Sequence, residues 1–197
     1  MSTKVKQVNT GTTYFCTFTN YNWLHLFEIT NFYTRIYKWF DFLIAKGCHL
    51  FGYAPIAIGV PNHCHIILYL PVESVIIQKV IGEGKRFMAY QIVKILKGQN
   101  NFKILQEMTN GVTSSELKNN VIHKVFEDSF DCKECYSSEF IQQKLQYIHN
   151  NPIKDKWKLA NLPEEYLHSS AKYYFTGEKG IYPVTHYLEF YDIPLAK

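Results

Sequence analysis

No stretch of this 197-residue chain stays apolar for the length a membrane-crossing helix needs, so a helical anchor is not expected. The opening residues, MSTKVKQVNT, lack the apolar core that secretion requires. Five cysteines, Cys16, Cys48, Cys64, Cys132 and Cys135, cannot all pair with one another. Without a secretory segment they are expected as free thiols in a reducing cytoplasm. Charged residues are sparse, at 19% against 47% hydrophobic, which excludes a disordered polyelectrolyte. There is no internal repeat and no low-complexity tract, which excludes repeat architectures.

Aromatic residues, by contrast, are abundant: 15 Tyr and 14 Phe. The formal charge of +4 permits a polyanionic partner without specifying one. Phosphate contacts need only a local cluster of Lys and Arg. The length suits a single domain over residues 1–197, with a C-terminal extension from about residue 155.

TTYFCTFTNY (12–21) alternates Thr with aromatics and predicts a strand with Tyr14, Cys16 and Phe18 on one face. In LFEITNFYTRIYKWFDFLIAKG, apolar residues recur at helical spacing and Gly47 fits the C-terminal cap. HLFGYAPIAIGV and HCHIILYLP read as two strands about a GVPN turn. SVIIQKVIGEGKRFMAYQIVKILKG is helical, with an interruption expected near Gly82 and Gly84. Residues 99–115 read as irregular, and a short strand is expected near NNVIHKVFE. SSEFIQQKLQYIHNNP is the clearest helix, with Ser137 or Ser138 as its cap, Glu139 in its first turn and Pro152 at its end. The order predicts an α+β, ferredoxin-like antiparallel sheet with helices packed on one face.

Residues i and i+2 of a strand share a face, so His63 and His65 point together and Cys64 points away. Their Cα atoms lie about 7 Å apart, and two imidazoles can hold one cation at about 2.1 Å from each nitrogen. The same pair also reads as surface histidines at a strand end. A cupin-type site would want a Glu soon after, where Tyr69 and Leu70 stand. A two-histidine phosphodiesterase would want a second His-x-Ser, for which His168-Ser169-Ser170 is the available match. A structural zinc site would add Cys132 and Cys135, which form a single Cys-x-x-Cys.

On the late helix, Gln143, Tyr147 and Asn151 follow one another at intervals of four and line one face. Tyr147 and Asn151 can thus approach one site together, with an amide oxygen as a neutral ligand. Equally, Tyr147 can simply pack its ring and Asn151 end the helix before Pro152.

VPNHCHIILYL, followed roughly eighty residues later by YIHNNPIKDKW, resembles the IS200-like single-tyrosine HUH transposases. The likeness is strongest to the REP-associated tyrosine transposase branch. It runs from about Tyr14 to Tyr174, and EEYLHSSAKYY matches a downstream segment of that branch. Cys64 stands where a bulkier residue is usual, and Leu167-His168 where a Trp is common. The resemblance implies a catalytic Tyr147, metal ligands His63 and His65 with Asn151 completing the set, and a ferredoxin-like fold.

It further implies Mg²⁺ or Mn²⁺ as cofactor and hairpin-bearing single-stranded DNA as partner. A bound divalent ion would draw charge from a phosphate oxygen while the phenol attacks in line, giving a 5′-phosphotyrosine and a free 3′-OH. Lys85, Arg86, Lys154, Lys156 and Lys158 are the expected phosphate contacts, and exposed Tyr and Phe the expected stacking surfaces. His149 is not assigned as a base. A monomer is expected, with a homodimer as the alternative. A domesticated hairpin-binding protein that no longer moves DNA is the competing reading.

Overall fold

The structure, a computed structural model, describes residues 11–56, 63–71, 76–128, 130–155 and 158–190. Its strands are β1 (Thr12–Thr19), β2 (His49–Ile56), β3 (His63–Leu70) and β4 (Asp131–Cys135). Its helices are α1 (Leu26–Ile29), α2 (Tyr33–Ala45), α3 (Ile77–Gly98), α4 (Phe102–Asn110), α5 (Ser114–Lys118), α6 (Ser138–Asn150) and α7 (Ala171–Thr176). The four strands form one sheet in the order β2-β3-β1-β4, each neighbour antiparallel. That is the ferredoxin-like arrangement expected from the element order.

β3 is buried at all eight positions, because HCHIILYL is apolar on both faces apart from its histidines. Both faces of the sheet must therefore be covered. On one, Cys16, Phe18, Cys64, Ile66 and Leu68 pack against Ile36, Trp39 and Phe40 of α2 and Ile81, Met88 and Ile92 of α3. On the other, Phe15, Ile67 and Tyr69 meet Ile141, Leu145 and Ile148 of α6, together with Tyr166 and Tyr187. The expectation of helices on one face thus holds for α2 and α3 and is corrected for α6. Its apolar stripe at i, i+4, i+7 needs the opposite face.

Several local expectations also shift. Gly82 and Gly84 do not break α3. At Gly84 an added Cβ would lie 2.4 Å from Cε2 of Trp39, so this glycine serves the close approach of α2 and α3. The predicted first helix is divided by Asn31 at φ 45°, and α2 ends as expected on Gly47 at φ 80°. There Gly47 N–H donates to Ile44 O (2.8 Å) and Cys48 N–H to Leu43 O (3.1 Å), the Schellman pattern. Residues 99–115, expected to be irregular, hold α4, capped by Asn101, and the start of α5, which opens on a Thr113–Glu116 capping box. The strand expected near 119–127 is a single bridge, Asn20 to Phe126. The fourth strand is DCKEC, whose charged, exposed positions suit a sheet edge and hide its period.

The other edge, β2, is covered by the chain that follows α6. Pro55 O accepts from Tyr166 Oη (2.8 Å), Tyr53 O from Ser170 N–H (3.0 Å), Phe51 O from Tyr174 Oη (2.8 Å) and Leu50 O from Thr185 N–H (2.9 Å). Tyr53 N–H in turn donates to Ser170 Oγ (3.0 Å). Among the described residues no helix is long and apolar enough to cross a membrane. The expected GVPN turn and Lys156 lie outside the described residues.

Candidate active site

The alternation of β3 sends His63 and His65 to the α6 face and Cys64 into the opposite core, as expected. The two rings sit 4.6 Å apart at 78° and are buried, which removes the surface-histidine reading. Asn151 follows the last residue of α6 and keeps helical angles (φ −62°, ψ −45°), so it stays on the face of Tyr147. Its Nδ2 lies 3.2 Å from Nε2 of His63 and 2.6 Å from Nε2 of His65. The amide N–H groups donate to both rings, which requires each Nε2 to be an unprotonated acceptor. His65 then carries its proton on Nδ1 and donates it to Thr17 Oγ1 at 2.7 Å. Burial, with the charges of His63 and Lys154 nearby, holds the His65 imidazole well below its ordinary pKa, so it is neutral at pH 7.

Two imidazole nitrogens and one amide therefore converge on a single spot. Turned over about its last bond, the same amide presents Oδ1 there in place of N–H. A mixed nitrogen and oxygen set of this kind, buried in the fold, fits a divalent cation.

Tyr147 lies one helical turn before Asn151. Tyr147 is 44% exposed, so its side chain has a path to solvent. It stands edge-on to His65 with centroids 5.3 Å apart, and edge-on to Phe15 at 6.0 Å. The ammonium of Lys154 lies 4.6 Å from its centroid. The structure thus brings His63, His65, Asn151, Tyr147 and Lys154 together within one chain. Gln143, a turn earlier, is exposed. His149 points away from Tyr147. It is buried, 2.8 Å from Ser170 Oγ, and its pKa is pushed down to about 4 by burial.

Other expected residues lie elsewhere. Lys85 and Arg86 sit on α3, across the sheet from Tyr147. Lys85 Nζ donates to the carbonyls of Glu127 (2.5 Å) and Asp128 (3.4 Å), so it braces the chain leading into β4. Arg86 lines a cleft with Lys38, Trp39, Phe42, Phe87 and Tyr90. Lys158 is exposed in the chain beyond α6. His168 stacks on Tyr33 (centroids 3.5 Å) and bonds Tyr37 Oη through Nδ1 (2.8 Å), so the second-histidine phosphodiesterase site is not formed. Cys132 faces the α2–α3 core, where its Sγ lies 3.4 Å from that of Cys16, while Cys135 faces α6. The two thiols of the Cys-x-x-Cys therefore point to opposite faces and cannot clamp one zinc.

Sequence reasoning missed Thr17, which holds the His65 tautomer, and Phe15, whose ring lies 5.8 Å from His65 and beside Tyr147. The signal lay in the Thr–aromatic alternation of β1, but the register Thr17–His65 comes only from strand pairing.

No family model and no curated protein matches the sequence. Among solved structures, a REP-associated tyrosine transposase bound to a REP hairpin is similar with a TM-score of 0.57. The match covers 94% of this chain and 92% of that one at 15% identity. The chain therefore has the fold of the REP-associated tyrosine transposases.

Proposed function

We propose that this chain is a metal-dependent, single-strand DNA transposase that nicks and rejoins strands beside hairpins through Tyr147. The observation that carries the reading is the convergence of His63, His65 and Asn151 on one spot with the Tyr147 ring beside His65. The hairpin held by the structural neighbour supports hairpin DNA as the substrate class.

His63, His65 and Asn151 would hold Mg²⁺ or Mn²⁺, which when bound withdraws charge from a phosphate oxygen and orients the group. The chain's own residues account for the remainder. Thr17 fixes the His65 ring so that Nε2 faces the site, and burial keeps it neutral. Tyr147 Oη attacks phosphorus in line, the bond to the 3′ oxygen breaks, and the phenolic proton is lost. The products are a 5′-phosphotyrosine and a strand ending in 3′-OH. One ester has replaced another, so a second 3′-OH can reverse the step and join new ends. Lys154 stands where it would offset charge on the phenolate and phosphate. Because Tyr147 lies against the imidazoles of its own chain, one protomer holds the complete set, which favours action as a monomer.

Incubation with a hairpin oligonucleotide carrying a single-stranded flank and Mn²⁺ is expected to give a protein–DNA adduct that survives denaturation. Excess chelator should abolish it, and added Mn²⁺ should restore it. Tight hairpin binding with no adduct would instead identify a domesticated binding protein. Thr17→Val, which leaves Nδ1 of His65 without its partner, is expected to weaken Mn²⁺ binding about 10- to 100-fold. Isothermal titration with Mn²⁺ reads that loss.

A further inference from the structure

Along α6, toward Tyr147, runs a row of rings and ammonium groups that the catalytic reading does not use. Tyr136, at the junction of β4 and α6, is 79% exposed and lies flat on Phe140, with centroids 5.2 Å apart at 11°. One turn on, the Lys144 ammonium sits 4.8 Å from the Phe140 centroid and 5.2 Å from that of Phe15. Phe15 in turn meets Tyr147. From β4, Lys133 pairs with Phe15 and is exposed on the same face. Asp131 is the acid on that face of β4, at the far end beside Thr17.

We infer that Tyr136, Phe140 and Lys144, with Lys133, form the track that holds the unpaired strand next to the phosphate attacked by Tyr147. The inference rests on the reading that Tyr147 attacks DNA. Stacked rings interleaved with lysines are what an unpaired strand requires, since every base has a π-face and every linkage a charge. Tyr136 is held flat from beneath by Phe140, so its outer face is open to a base. Lys144 and Lys133 flank the row where a backbone would pass. From Phe140 to Tyr147 the helix advances about 10 Å, the axial span of about three stacked nucleotides. A folded protein partner would disfavour lysines between the rings, since charged residues are depleted at the centre of such contacts.

The test uses the full chain carrying Tyr147→Phe, so that no cleavage intervenes. Fluorescence anisotropy compares a hairpin with a six-nucleotide single-stranded flank against the same hairpin without it. The flank is expected to raise affinity. Tyr136→Ala should cut affinity for the flanked hairpin about tenfold and leave the blunt hairpin unchanged. Tyr136→Trp should retain it. Lys144→Ala should lower the slope of affinity against salt by about one. Equal affinity of Tyr136→Ala and its parent for the flanked hairpin would overturn the track, as would an equal loss on both hairpins. Failure of the wild-type chain to form an adduct would count against the catalytic reading instead, which this binding measurement does not use.

Discussion

Tyr147→Phe is expected to lower adduct formation by at least roughly ten-thousandfold, to background, while hairpin affinity stays within about twofold of wild type. The substitution removes one oxygen atom and nothing else. The ring keeps its edge contacts with His65 and Phe15 and its place beneath Lys154, so the helix and the neighbouring imidazoles have no reason to move. Because the ring is partly exposed, loss of the hydroxyl leaves no buried group unsatisfied. Thermal unfolding should therefore be unchanged within about a degree. Denaturing gel electrophoresis with a labelled hairpin reads the adduct, and anisotropy reads binding. Residual adduct in the variant would place the nucleophile on another residue.

Asn151→Ala should have the second largest effect, and a different one. Without the amide, Nε2 of both His63 and His65 would lose their donor inside a buried pocket. An unsatisfied buried acceptor costs about 1–3 kcal/mol. The metal-free variant should therefore unfold at lower denaturant than wild type, with an unchanged slope. Mn²⁺ affinity should fall by more than the roughly 10- to 100-fold that an outer partner such as Thr17 contributes. Wild-type unfolding should shift upward with added Mn²⁺ by mass action, and the variant's should not. Equal Mn²⁺ protection of both proteins would mean that the ion sits elsewhere.

The parts of the molecule that were legible in sequence are those where one period or one cap dominates. β1 shows its Thr–aromatic alternation, α2 its stripe and terminal glycine, and β3 its histidines two apart. Those elements, with α3 and α6, were enough to give the ferredoxin-like pattern, though not the place of the fourth strand. The four site residues were legible because each pair lies within one element, at a spacing set by that element's geometry. What escaped was set by contacts between elements. Thr17 reaches His65 only through strand register. Lys85 looks like a free surface cation in GEGKRF, but its reach ends on carbonyls more than forty residues away. β4 carries three charges in five residues and shows no apolar period. α6 looked like one more helix for an occupied face, and only the unbroken apolar run of β3 hinted that two faces needed cover.

The way the sheet is bounded limits how this molecule can join a second copy of itself. A free strand margin invites an incoming strand by presenting unspent N–H and C=O groups. On the β2 side, Tyr166, Ser170, Tyr174 and Thr185 have already taken the outward carbonyls of Leu50, Phe51, Tyr53 and Pro55. On the β4 side, the margin is five residues long and bristles with charge. The β2 margin is closed to continuation of the ladder from chain to chain, and the short, charged β4 margin disfavours it. A pairing of copies through side chains on the outer helices would leave each tyrosine where it already lies, beside its own imidazoles.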